Sequence, residues 1–241
     1  MKIEKYQSLG NDFIIIKGEY ENESELAKRL CDRHFSFGGD GLIVISDDNE
    51  KAFFFNNDGT SSKLCGNALR CIKRYFIKHN INKNSINLGG NIYNFDIIDN
   101  QIKVTFPLCI NSHIDIKKID ENTTFIIVDI SNKHAILFKE VDDIDTYRKI
   151  ADENEININF VKVISRNLIE VRTIERGAGL TLSCSSGALA TFIFLRTLSL
   201  VDDEIIVKFP KGEIKIYYNG NYHMIGDSSF VFEVEISYES L

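Results

Sequence analysis

What the chain lacks narrows its class first. No apolar run approaches the ~20 residues of a membrane-spanning helix; Phe13-Ile14-Ile15-Ile16 and Phe192-Ile193-Phe194-Leu195 are among the longest. The opening Met1-Lys2-Ile3-Glu4-Lys5-Tyr6 is broken by polar residues and no small-residue cleavage site follows, so a secretory leader is not expected. Basic charge is short: 28 Lys and Arg face 35 Asp and Glu, a formal net charge of −7. Nucleic acid and anionic membranes call for basic patches, so neither is an expected partner, and the charge reads as solubility. Low-complexity tracts are missing too, and 44% apolar with 26% charged residues is ordinary globular composition. Five cysteines stand at 31, 65, 71, 109 and 184, an odd number with no Cys-x-x-Cys and no His-x-x-x-His beside them. That excludes a disulfide framework and a zinc site, and points to reduced thiols in the cytoplasm.

What is present is a chain of 241 residues, enough for one large domain or two small ones. Short β-rich runs punctuated by Gly, Asn and Asp dominate it. Four helices are expected, at 24–33 after a Ser cap, 67–78, 144–153 and 188–197. The last is apolar almost all round, so it should be buried on every side. An internal repeat is the most informative feature. Ser62-Lys63-Leu64-Cys65-Gly66-Asn67-Ala68-Leu69 resembles Thr181-Leu182-Ser183-Cys184-Ser185-Ser186-Gly187-Ala188-Leu189. Each copy sets a Cys and small or polar residues before a helix, then a strand, a Gly turn and another strand. A repeat that long implies two similar α+β halves. The expected division is 1–118, rejoined by a strand at about 229–241, and 119–228, with the boundary near 117–123.

A cysteine at a helix start is chemically specific. The first turn leaves N–H groups unpaired and carries partial positive charge. These favour a thiolate and can also hold a carboxylate. Two such starts from symmetric halves are expected to meet at a domain cleft. Inverting an amino-acid Cα needs a base on one face and an acid on the other, with the roles exchanged in reverse; two equivalent thiols, Cys65 and Cys184, suit that demand. Cys31, Cys71 and Cys109 lack the repeated context and read as inert packing residues.

Further motifs then join the cysteines. They are Gln7-Ser8-Leu9-Gly10-Asn11-Asp12-Phe13, Gly38-Gly39-Asp40-Gly41-Leu42, Phe55-Asn56-Asn57-Asp58-Gly59-Thr60, Leu64-Cys65-Gly66-Asn67-Ala68-Leu69-Arg70-Cys71, Ser131-Asn132-Lys133-His134, Asn157-Ile158-Asn159-Phe160-Val161, and Glu175-Arg176-Gly177-Ala178-Gly179 followed by Cys184. In this order they resemble the diaminopimelate epimerase family, nearly end to end. The resemblance implies two pseudo-symmetric halves, each a barrel-like, mostly antiparallel sheet around a central helix. It implies that Cys65 and Cys184 are acid/base thiols and that backbone N–H groups of Gly66, Asn67, Ser185 and Ser186 hold the reacting carboxylate. It gives Asn56, Asn132, Asn157 and Arg176 to the distal carboxylate and amine of a two-headed substrate, Asn11 and Glu175 to substrate amines, and His134 with Glu175 to thiol protonation. Asp12, Asp40 and Asp58 read as loop-shaping residues. No cofactor and no metal are implied. The partner implied is a small-molecule amino-acid substrate, with a homodimer as the assembly to consider. The expected reaction is LL- to meso-diaminopimelate, in lysine and peptidoglycan precursor synthesis. Thiols flanking one carbon are also expected to oxidise to a Cys65–Cys184 disulfide, so activity should need a reductant.

Four departures from the family pattern bear on substrate more than on reaction. Ser131 replaces Gly, Lys133 replaces Pro, Leu180 stands where Glu is usual, and Ser185 replaces the Gly after the second cysteine. If that last position needs φ > 0, the second carboxylate clamp is altered. The competing readings are a two-cysteine racemase for another amino acid and a catalytically silent structural paralogue.

Overall fold

The computed structural model describes residues 1–107, 113–118 and 124–237. Cys109 and most of the expected boundary segment lie outside the described residues. Two compact units emerge, Met1–Phe106 with Ile225–Leu241, and Pro107–Met224. The divisions expected from the sequence are at 118 and about 228.

The first unit runs β1 (Lys2–Ser8), β2 (Asn11–Lys17), α1 (Glu23–Cys31), β3 (Gly41–Ile45), β4 (Lys51–Asn56), β5 (Ser61–Ser62), α2 (Gly66–Lys78), β6 (Ser85–Leu88), β7 (Asn91–Ile98) and β8 (Gln101–Thr105). The second runs β9 (His113–Lys118), β10 (Thr124–Asp129), β11 (Lys133–Leu137), α3 (Ile144–Asn154), β12 (Asn157–Ser165), β13 (Leu168–Glu175), β14 (Gly179–Thr181), α4 (Ser185–Thr197), β15 (Glu204–Phe209) and β16 (Gly212–Tyr218); the division falls inside β17 (Tyr222–Gly226). The chain then returns to the first unit as β18 (Ser229–Glu235).

The two units repeat one pairing scheme. In the first, β1–β2 is antiparallel, β2–β3 parallel, β3–β4 antiparallel, β4–β6 parallel and β6–β7 antiparallel. In the second, β10–β11, β11–β12, β12–β13, β13–β15 and β15–β16 follow in the same senses. Parallel neighbours need a crossover between them, and each of the four helices supplies one. An extra antiparallel strand flanks each set, β18 on β1 and β9 on β10.

Within the first unit, Ile14, Ile16, Leu42 and Val44 pack with Leu26, Ala27 and Leu30 of α1. Phe13 and Ile15 alternate to the opposite face, where α2 contacts β2. Strands covered on both sides read as unbroken apolar runs, which is why 13–16 and 42–45 lack alternation. α2 touches β18, β1 and β2 at one end of the strand order and β8 at the other, so this sheet curls around it. In the second unit α3 covers Ile127, Ala135, Ile158 and Phe160. α4 packs on β10, β11 and β12, with Ser185 to Leu195 buried. No helix among the described residues is long and apolar enough to cross a membrane.

The expected helix at 24–33 starts earlier and ends earlier, at Glu23–Cys31. Its cap is Asn22, whose Oδ1 accepts from Glu25 N at 3.2 Å, while the Ser24 hydroxyl is taken by the Gly59 carbonyl at 2.8 Å. The other three expected helices are found with extended ends.

Candidate active site

Both repeat cysteines are helix caps. Cys65 is the N-cap of α2 (φ −144, ψ 106) and its Sγ accepts from Ala68 N at 3.4 Å. Cys184 is the N-cap of α4 (φ −129, ψ 103) and its Sγ accepts from Gly187 N at 3.4 Å. The extended cap residue turns its side chain back over the first turn, which is how a cap reaches an orphan N–H. A thiolate there gains from the same donor and from the helix dipole. Cys184 is buried and lies 3.4 Å from Ser186 Oγ; Cys65 is half-buried. Helix α2 begins one residue earlier than the apolar pattern suggests and α4 three residues earlier, with Gly66 and Ser185 as their first residues. Cys31 and Cys71 differ: both are buried, and burial pushes the Cys31 thiol up to about 12 and the Cys71 thiol higher. Both stay protonated near neutral pH, which fits their role as packing residues.

Asn11 and Asn67 come together in the first unit. Asn67 Nδ2 donates to Asn11 Oδ1 at 3.1 Å, and Asn11 Nδ2 donates to Asp40 Oδ2 at 2.7 Å. Asp12 and Asp40 do more than shape loops: Arg33 bonds both, at 2.6 and 2.8 Å, and Lys5 pairs with Asp12 at 2.7 Å. Burial and the neighbouring Asp12 charge raise the Asp40 carboxyl above its ordinary value. Burial also works against the Asp12 carboxylate, but the bonds from Arg33 and Lys5 outweigh it and hold Asp12 below the ordinary value. Asn56 spends its amide locally, donating to Thr60 Oγ1 at 2.9 Å.

In the second unit Asn132, Asn157 and Arg176 converge. Asn157 Nδ2 donates to Asn132 Oδ1 at 3.1 Å, and Asn157 Oδ1 accepts from the Arg176 backbone N–H at 3.1 Å. The Arg176 side chain remains half-exposed, 3.8 Å from Glu155. Glu175 Oε1 accepts from Thr181 Oγ1 at 2.6 Å. His134 is fully buried, which pushes its pKa down to about 3 and keeps the ring neutral.

The departures sort differently from expectation. Ser185 opens α4 and is not among the residues with positive φ; Ser131 is, at φ 73. The strain that the Gly-to-Ser changes raised thus falls at Ser131, whose N–H donates to Asp129 Oδ1 at 3.0 Å. Leu180 is exposed on β14, and Lys133 lends its carbonyl to Asn157 Nδ2 at 3.4 Å.

Two residues escaped the sequence reading. Arg70 is fully buried; its Nε donates to Ser8 Oγ at 3.0 Å and its Nη2 to Asn67 Oδ1, and burial lowers its pKa to about 10. Charged side chains are almost never fully buried, so nothing in composition marked it. Asn159 is also fully buried. Period-two alternation puts it on the same face of β12 as Asn157, and that signal was available.

A family model described as diaminopimelate epimerase matches residues 3–102 and 121–231. The chain is 32% identical to the diaminopimelate epimerase of Clostridium perfringens (strain 13 / Type A) over 267 residues, covering 96% of this chain and 97% of that protein. It is 32% identical to the one from Acetivibrio thermocellus over 281 residues, covering 100% of each. Among solved structures, a probable proline racemase from Agrobacterium radiobacter K84 aligns with a TM-score of 0.79 at 8% identity, over 98% of this chain and 93% of that one. A PhzF-family phenazine biosynthesis protein from Bacillus anthracis aligns at 0.73 with 11% identity, over 98% and 99%. At such identities these two share the fold alone. With the family match spanning both units and the curated relatives covered end to end, the chain belongs to the diaminopimelate epimerase family, a family of isomerases.

Proposed function

We propose that the chain interconverts LL- and meso-2,6-diaminopimelate without a cofactor, one capping thiol removing the Cα proton and the other returning a proton to the opposite face. The observation that carries this reading is the repeated cap: in each unit a cysteine stands directly before a helix, and its Sγ accepts from the third N–H of that helix. The Cα proton is weakly acidic, so the developing negative charge needs donors on the carboxylate. The first-turn N–H groups at Gly66, Asn67, Ser185 and Ser186 are the donors proposed. The reaction needs two equivalent groups because each direction starts from a different face. Asn132, Asn157 and Arg176, with Asn56, are proposed to take the distal carboxylate and amine; a guanidinium fork suits a carboxylate. Cytoplasmic lysine and peptidoglycan precursor synthesis is the setting this reaction implies.

The test is α-proton exchange in deuterated water, read by NMR over an amino-acid panel. LL/meso interconversion, lost in Cys65→Ser and Cys184→Ser, supports the proposal. Exchange into another amino acid with diaminopimelate untouched overturns the substrate. The changed positions Ser131, Lys133 and Leu180 favour keeping a second reading, a two-cysteine racemase for another amino acid. Arg176→Ala separates the two: loss confined to diaminopimelate supports the first, and an unaffected variant supports the second.

A further inference from the structure

Asn159 is a fully buried amide with every contact accounted for by a neighbouring element. Its Nδ2 donates to the Ala135 carbonyl at 3.0 Å and lies 3.2 Å from His134 Nδ1; its Oδ1 accepts from Thr173 Oγ1 at 3.0 Å. A carbonyl only accepts, so the Ala135 oxygen fixes which side of the amide carries the hydrogens. With the NH2 group there, His134 Nδ1 is the acceptor and the ring proton sits on Nε2. That Nε2 is buried and has no hydrogen-bond partner among the described residues. The far side of Asn159 is closed by the first turn of α4: a Cβ on Gly187 would lie 2.1 Å from Asn159 Oδ1 and 3.4 Å from Cys184 Sγ. β11, β13 and α4 thus hold the amide on three sides, and the Ala135 carbonyl sets its orientation.

We infer that Asn159 is a positioning residue: it locks His134 in the neutral Nε2–H tautomer, so that His134 offers a fixed hydrogen-bond donor, and not a base, to an incoming anion. A buried donor left unmatched by the protein is satisfied when an acceptor arrives. The acceptor's chemistry is that of a carboxylate or a thiolate, and only this point rests on the proposed reaction. His134 then contributes by stabilising negative charge, while proton transfer stays with the thiols.

The experiment is 15N NMR of the labelled protein at neutral pH, with His134 assigned by its loss in His134→Gln. The two-bond coupling pattern of a neutral Nε2–H ring is expected. Asn159→Asp replaces the donating amide by an acceptor and should move the proton to Nδ1, with kcat for α-proton exchange falling about tenfold or more and KM changing less. A wild-type ring that carries its proton on Nδ1, or that is doubly protonated, overturns the inference. So does a folded Asn159→Asp variant that keeps the Nε2–H pattern. Should that variant not fold, Asn159→Ala is read instead: mixed tautomers support the inference and an unmixed Nε2–H ring overturns it. Adding diaminopimelate, against raising the pH without substrate, separates a carboxylate from a thiolate as the acceptor that shifts the Nε2–H signal. A protein inert toward diaminopimelate but showing the expected tautomer would sink the proposed substrate and leave this inference standing.

Discussion

Ser131 holds φ 73 in the turn between β10 and β11. A left-handed conformation costs a non-glycine residue roughly 1–2 kcal/mol, and glycine returns part of that gain as unfolded-chain entropy. Ser131→Gly should therefore raise stability by about 0.5–1 kcal/mol, measured by urea unfolding; a lower midpoint would count against strain at this turn. His134 gives a second prediction. Its folded pKa of about 3 lies below the ordinary 6.5, so between these values the unfolded chain holds a proton that the folded chain does not. Stability supplied by the neutral ring is present above 6.5 and is lost as pH falls toward 3, at up to about 1.4 kcal/mol per pH unit. His134→Gln should remove that part of the slope, and an unchanged slope would show the ring to be protonated when folded. Residues of this kind were hard to read from sequence. Arg70 carries a charge that is normally solvated, and alternation gives only the face on which Asn159 stands; only the packing of β1 and α2, or of β11, β13 and α4, gives each its partners.

At the scale of elements, the helix starts carry the argument. The motif around Cys65 and Cys184 was legible because it occurs twice, and the repeat located both thiols without any contact information. Their place at the helix starts was legible too, but not that the thiols themselves cap the first turn: Ser, Thr, Asn and Asp lead at that position, and Ser185 to Gly187 lay outside the expected helix 188–197. The Asn22 cap of α1 was misread for the same local reason, since two side chains competed for it and the Gly59 carbonyl withdrew one. At Gly187 the first turn of α4 lies against Asn159 of β12. Gly187→Ala improves helix propensity by about 1 kcal/mol, yet its Cβ would press to 2.1 Å on Asn159 Oδ1. The clash should win, with a net loss on the order of 1–3 kcal/mol and a displaced His134 NMR signal. A variant more stable than wild type would mean that β12 has slack at Asn159.

At the scale of the whole chain, two similar units were foreseeable from the repeat, which sets a helix, a strand, a turn and another strand after each cysteine; the parallel pairings within each unit were not. The placement of β9 with the second unit was not foreseeable, since a strand of six residues matches either half equally well by pattern. β18 pairs with β1 from Lys2↔Glu235 to Gln7↔Ser229, and Val234 and Ile236 pack on the α1 cluster. Val234→Pro removes a ladder donor opposite Ile3 and should cost on the order of 2–3 kcal/mol. Hydrogen exchange would then show β1 and β2 losing protection before β10 to β12; uniform loss across both units would mean that they unfold as one.

The bond from the Met1 amino group to the Ile236 carbonyl spans 235 positions. A ribosome delivers β1 more than two hundred residues before its partner β18. The second unit, continuous in sequence, is available for folding while the first still presents an open strand edge. Open edges recruit other chains, so the yield of native protein in cells should depend on how quickly translation passes from 107 to 237 and on chaperones that shield β1 meanwhile.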